Sequence, residues 1–271
     1  MPYKAIIGGT GYSNVLGDTG LVDQTVVTPF GTVQLAVGRG DIDDIVFVTR
    51  HGADHSIPPH RVNYRANLMA LSQLGIERII GLSAVGGLTR EVRPGAIVVV
   101  DQIIDWTSGR AETFFDGGEW GVAHIDVTEP FCKDLRHTIL DLQSEQGIAM
   151  QPEGVYVACK GPRLETAAEV RMHASLGGTV VGMTGAPEAS LARELGIHFA
   201  SICTSVNNAA GLDGESVKFD DTQQAEQVEA LLSLSIASLR APAVVECGCS
   251  VGPRILHEPT AWKPPRRAPV S

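Results

Sequence analysis

The chain has 271 residues, 44% hydrophobic and 19% charged, which fits a globular protein with a large buried core. Its formal net charge is -10 and its basic residues collect only near the C-terminus, which argues against nucleic acid as the main partner. No apolar run could span a bilayer and no cationic start precedes an apolar stretch, so a cytoplasmic protein without a membrane partner is expected.

Tyr3 to Ile7 reads as a short buried strand running into Gly8-Gly9-Thr10-Gly11. The glycines let backbone N–H groups approach an anion, and the Thr10 hydroxyl adds a donor. The spacing is not G-x-G-x-x-G, and Asn14 and Gly17 are poor helix material, so phosphate fits here and a dinucleotide does not. Gln24 to Thr28 and Thr32 to Val37 flank Pro29-Phe30-Gly31 as a hairpin. Ile45 to Thr49 is a buried strand ending at Arg50-His51-Gly52, with His55 and His60 following. Arg50 can grip a phosphate with two N–H groups. The histidines could also hold a metal, but no carboxylate or cysteine set completes such a site, so none is expected.

Val62 to Leu74 has the apolar spacing of an amphipathic helix. Arg78 to Leu82 is a strand ending in the small-residue turn Ser83-Ala84-Val85-Gly86-Gly87, and Ala96 to Val100 is another strand. Ser108 to His124 is Gly-rich and irregular, and loops of that length usually carry function or an interface. Lys133 to Gln146 is a helix.

Gly154 to Cys159 then feeds Lys160-Gly161-Pro162-Arg163-Leu164-Glu165-Thr166, where Gly161 and Pro162 must end the strand. Thr166 can cap the helix Ala167 to Ser175, with Glu169 completing a capping box. Leu164 and Glu165 are left at a strand's C-terminal end, where open α/β sheets hold their ligands. An apolar face beside a carboxylate suits a flat heterocycle with N–H groups; the plain alternative is a capped turn with a solvated glutamate.

Gly178 to Gly182 leads into Met183-Thr184-Gly185-Ala186-Pro187-Glu188. Ala189 to Leu195 is helical, Ile197 to Thr204 a strand, Ser205 to Gly211 a small polar loop, and Asp220 to Leu239 a long last helix. Residues 241–271 are rich in Pro and Arg and are expected to be frayed or disordered. Of five cysteines, Cys132, Cys159 and Cys203 read as buried thiols. Cys247-Gly248-Cys249 could be a redox or metal handle, but it reads as incidental, because no second ligand cluster accompanies it.

Alternating strands and helices predict one α/β domain over residues 1–240, a twisted mixed, mostly parallel sheet flanked by helices. Thr10, Arg50, His51, Ser83 and Thr184 each follow an apolar strand. Parallel strands would bring them to one sheet edge as an oxyanion pocket, with phosphate the natural occupant.

Gly8-Gly9-Thr10-Gly11, Thr49-Arg50-His51-Gly52, Gly161-Pro162-Arg163, Gly182-Met183-Thr184 and Pro187-Glu188 occur in the order found in trimeric purine nucleoside phosphorylases. The chain resembles that family from about Ala5 to Leu239, most of all its methylthioadenosine phosphorylase branch; the tail after Arg240 does not. The resemblance implies that orthophosphate attacks C1′ of a purine nucleoside, without metal or organic cofactor, giving a ribose 1-phosphate and a free purine. It implies phosphate contacts from Thr10, Arg50, His51, Ser83, Ala84 and Thr184, and a ribose contact from Met183. It places His55 and His124 near the sugar, His124 being offered to a neighbouring subunit of a homotrimer. His51 is expected to be an anion-binding donor rather than a general base.

Departures from the branch bear on the substrate. Where methylthioadenosine phosphorylases carry acidic side chains, this chain has Asn207-Asn208-Ala209, and inosine- and guanosine-cleaving relatives have Asn at the Asn207 position. Those relatives carry Phe-Glu-Thr where Leu164-Glu165-Thr166 stands here. Glu165 can accept N1–H of a 6-oxopurine and Asn207 can serve O6 and N7, so these two are the expected catalytic and base-selecting pair. Phe219, where inosine-cleaving relatives carry a His, suits a methylthio group and leaves a 5′-hydroxyl unpaired. The combined expectation is phosphorolysis of 5′-methylthioinosine. Alternatives are an inosine/guanosine phosphorylase, a methylthioadenosine phosphorylase, or a non-catalytic nucleoside- or phosphate-binding protein.

Overall fold

The computed structural model describes residues 4–9, 20–212, 216–219 and 224–264. In chain order its elements are β1 (Lys4–Gly8), β2 (Val22–Thr28), β3 (Gly31–Val37), β4 (Ile45–Thr49), α1 (Tyr64–Gln73), β5 (Arg78–Gly87), β6 (Ile97–Val99), β7 (Gln102–Asp105), β8 (Val122–His124), α2 (Lys133–Gln146), β9 (Val155–Ala158), α3 (Ala167–Ser175), β10 (Val180–Gly182), α4 (Gly185–Glu194), β11 (His198–Asn208), α5 (Gln224–Arg240) and β12 (Arg254–His257).

Ten strands form one mixed sheet, and β8 and β12 form a separate pair. β1 lies parallel between β4 and β5, and the β2–β3 hairpin extends β4 antiparallel. β11 runs parallel along the whole of β5, from His198 opposite Arg78 to Asn208 opposite Gly87. β7, β9 and β10 form a parallel ribbon whose β10 joins the end of β5 antiparallel. This is the mixed α/β sheet expected from the sequence.

Side-chain alternation along the strands builds a core on each face. On β5, Ile79 packs with α1 and α4 residues such as Leu68, Leu71 and Leu191, while Ile80 packs with Leu135, Ile139 and Leu231 of α2 and α5. A smaller cluster seats Val170 of α3 against Val157, Val181 and Ala209. α3 begins on the expected capping box: Thr166 Oγ1 accepts from Glu169 N at 3.2 Å and Thr166 N donates to Glu169 Oε2 at 2.8 Å.

Three expectations are corrected. Ser83 to Gly87 and Ser205 to Asn208 are strand, not turn and loop, because β5 and β11 keep pairing through small residues to their ends, across a bulge between Ser205 and Asn207. The irregular stretch before His124 ends in β8, which β12 pairs with antiparallel. The tail is ordered over 241–264: Asp134 Oδ1 accepts from Val244 N (2.6 Å) and Val245 N (3.0 Å), Cys249 is buried, and Trp262 packs on Phe114 and Phe115. Composition misled here because a few anchors, rather than overall apolarity, hold the segment down.

Candidate active site

The site lies where β5 changes neighbours. β1 pairs with β5 as far as Leu82, and β10 takes over only at Gly86. Backbone alternation puts the N–H and C=O of Ala84 on the same edge as those of Leu82, in the gap between β1 and β10. No described strand pairs that edge there, so a ligand can. The gap opens into a cavity of about 580 Å³, ample for a nucleoside-sized ligand. Arg50, His51, His55, Ser83, Ala84, Leu164, Glu165, Met183, Thr184, Asn207 and Phe219 all line it.

Three sequence candidates stand apart. Ala209 is buried in the small cluster with Val170, and its N–H bonds to Gly87 O, so it supports the cavity wall rather than lining it. Asn208 is the last residue of β11 and is not among the lining residues. His124 ends β8, exposed and opposite Arg254, and is not among the residues lining its own chain's cavity. Thr10 lies outside the described residues.

Arg50 is fully buried, and its fork is committed. Nε and Nη2 donate to Glu188 Oε1 (2.5 Å) and Oε2 (2.8 Å), and Nη1 donates to Leu82 O at 3.1 Å. Burial works against the cation, but Glu188 more than offsets it and holds the guanidinium above its ordinary pKa. Arg50 therefore cannot grip phosphate with the expected two-donor fork; it presents its Nη1 side under Gly9, where an added Cβ would sit 2.6 Å from Nη1. In the sequence Glu188 belongs to a resemblance motif without a role of its own; a carboxylate in an apolar helix start is the signal that it needs a buried cation.

His51 Nδ1 lies 2.8 Å from Ile57 O, and a carbonyl can only accept, so Nδ1 carries the proton. Burial pushes the imidazole down to about 4, leaving it neutral near pH 7. Its Nε2 is then an acceptor, not the donor expected from the sequence. It can take a hydrogen bond from the hydroxyl of a protonated phosphate. Ser83 is buried and its hydroxyl has no partner among the described residues, a donor left for an anion.

Tyr156, which the sequence reading missed, braces the turn that carries Thr184 without itself lining the cavity. Its buried hydroxyl accepts from Thr184 N and Gly185 N, both at 3.2 Å, and fixes the turn that starts α4. A Cβ at Gly182 would collide with that hydroxyl, so the chain can wrap the ring only with glycine there. Burial raises the phenol to about 12, keeping it neutral. Thr184 is the N-cap of α4 but makes no side-chain cap bond. Gly161 has φ +62°, and a Cβ there would strike Met183 Sδ, so the turn before Leu164 packs directly on the Met183 side chain.

Glu165 is half-buried and sits between this cavity and a smaller cleft lined by Cys159 and His173. Burial, reinforced by the Glu165 carboxylate, pushes the Cys159 thiol up to about 12. Cys159 is thus a neutral neighbour of the candidate base-reading carboxylate. Asn207 is buried, donating from Nδ2 to Asn208 O at 2.9 Å; Gly86 makes room for it, since a Cβ there would come within 3.1 Å of Nδ2. Phe219 is 57% exposed at the cavity's mouth.

Residues 4–239 match the family model of the Phosphorylase superfamily. The chain is 43% identical to the 6-oxopurine nucleoside phosphorylase of Pyrococcus furiosus, covering 92% of this chain and 97% of that one. It is 46% identical to a probable S-methyl-5′-thioinosine phosphorylase of Thermodesulfovibrio yellowstonii, over 76% and 78% of the two chains. Among solved structures, methylthioadenosine phosphorylase from Schistosoma mansoni in complex with adenine superposes with a TM-score of 0.80 at 32% identity, over 88% of this chain and 91% of that one. Matched along nearly its whole sheet and aligned almost end to end with such relatives, the chain belongs to the Phosphorylase superfamily.

Proposed function

We propose that the protein is a pentosyltransferase that cleaves 6-oxopurine nucleosides with phosphate, and that 5′-methylthioinosine is its preferred substrate. The observation that carries the reading is that Glu165 and Asn207 line the same cavity as Ser83, Ala84, Thr184 and His51. The relatives named above, for 6-oxopurine nucleosides and for methylthioinosine, support the base assignment.

In this reading phosphate lies against the open edge of β5, held by Ala84 N–H, the Ser83 and Thr184 hydroxyls and the positive end of α4. Its oxygen forms a bond to C1′ as the bond from C1′ to N9 breaks. The electron pair of that bond goes to the purine, whose N7 takes a proton from water as the base leaves. Asn207 accepts from N7–H and donates to O6, so it acts most strongly when charge reaches the base. Glu165 accepts from N1–H. Adenine has no N1–H and carries a donor at C6, which leaves Glu165 and the Asn207 donor mismatched. Orthophosphate is a co-substrate, and this chemistry calls on no cofactor.

Phe219 gives the 5′-methylthio group an apolar contact. His124, which does not line its own chain's cavity, serves a neighbouring copy's sugar site in a homotrimer. A second reading, inosine/guanosine phosphorylase, draws on the exposure of Phe219, which leaves the 5′ end loosely read. Paired rates for methylthioinosine and inosine decide between them: equal rates would favour the second reading.

A further inference from the structure

Cys132, His198, Cys247 and Cys249 meet at the start of α2 and of β11, the opposite end of that strand from the cavity-lining Asn207. Each offers one ligand atom, and the four atoms lie within 4.8 Å of one another. His198 Nδ1 is 3.3 Å from both Cys132 Sγ and Cys247 Sγ. A tetrahedral zinc ion with sulfur and nitrogen ligands sets S···N edges of roughly 3.5 Å, so only small rotations close the set. All five cysteines are free thiols, so no disulfide competes for these sulfurs.

The sequence reading set Cys247-Gly248-Cys249 aside because no second ligand cluster accompanied it. That is corrected here: Cys132 and His198 supply it, from positions 66 residues apart in the chain. The tail is steered to them by anchors on the same helix. Asp134, held by Arg78 at 3.1 Å, accepts from the backbone of Val244 and Val245, and Arg78 also donates to Ala241 O.

We propose that Cys132, His198, Cys247 and Cys249 form a closed Cys₃His site for a zinc ion that staples the C-terminal segment to the phosphorylase domain. Zn²⁺ takes three thiolates and a neutral imidazole, and the three thiol protons go to solvent. Two features fit the resulting anionic centre. Leu135 N donates to Cys132 Sγ at 3.4 Å from the first turn of α2, as outer partners do at metal thiolates. The Arg193 guanidinium lies against Gly248 between the two tail cysteines, where an added Cβ would be 3.1 Å from Nη2. With all four positions filled by protein, the site is structural, and its effect passes through β12 to β8 and His124.

The test is metal analysis of the full chain, purified without chelator, then reduced and re-equilibrated with zinc or cobalt. Expected are about one zinc per chain and, with cobalt, the absorption of a tetrahedral thiolate complex. The double variant Cys247→Ser/Cys249→Ser should lose both, and chelation should speed proteolysis within residues 241–264 of the unmodified protein. Cys132 also caps α2, so the tail variant is the one used. Three results would overturn the proposal: a reduced protein that holds no metal with five titratable thiols, an isolated protein with fewer free thiols and no metal, or zinc kept by the tail variant and lost in His55→Ala.

Discussion

Arg50 shows how far a single residue's role depends on what is buried beside it. Its fork is spent on Glu188, so Arg50→Ala leaves a carboxylate without its partner in the core. A cost of about 3–5 kcal/mol in stability is expected, as for other broken buried pairs. Urea unfolding of the variant checks this. A loss below about 1 kcal/mol would mean that Glu188 finds another partner or a proton. Asn207→Ala should keep stability near wild type and lower kcat by about 10²-fold, the scale of one lost donor to developing charge. A rise in KM alone would move Asn207 out of the chemical step. Most cavity-lining residues were legible in the sequence because small and polar residues interrupt apolar strands just where ligands bind. Glu188 and Tyr156 were not legible in their roles. The first pairs with a residue 138 positions away, and the second acts through a hydroxyl whose partners only the fold brings near.

At the scale of elements, the tail and the β8 segment support each other. Trp262 fills a site among Phe114 and Phe115, so Trp262→Ala should destabilise the protein by about 3–5 kcal/mol, read as a fall in the denaturation midpoint. An unchanged midpoint would mean that the tail is held by its other anchors. The same region contains a pH-sensitive contact. Burial pushes the Glu194 carboxyl up to about 7, although Phe114 N and Thr113 Oγ1 donate to it. With an ordinary value of 4.5, Glu194 binds a proton in the folded state that the unfolded chain releases as pH rises. Its stabilising share is complete below about 4.5 and is lost as pH passes through 7. Denaturation at pH 5 and pH 8 should show this fall, and Glu194→Gln should flatten it; an equal slope in the variant would assign the effect elsewhere. Strand and helix positions were readable from apolar periodicity. The ends of β5 and β11 were not, because a run of Ser, Ala and Gly looks like a turn until a parallel partner is known.

On the proposed reading, the whole molecule joins a phosphate edge, a base-reading wall and an open 5′ end in one cavity. If His124 serves a neighbour, mixing His124→Ala with Asn207→Ala should restore activity once subunits exchange, because some mixed sites then receive both intact residues. Light scattering that shows a single-chain mass at assay concentration would rule that arrangement out. The central claim is a phosphate-driven cleavage that selects the 6-oxopurine and then the 5′-methylthio group. Its most direct measurement is initial-rate release of free base from 5′-methylthioinosine, inosine and methylthioadenosine, each with and without phosphate. The account predicts fast hypoxanthine release from methylthioinosine, measurable but poorer release from inosine, almost no adenine from methylthioadenosine, and none of these without phosphate. Cleavage without phosphate, or faster cleavage of methylthioadenosine than of methylthioinosine, would contradict it.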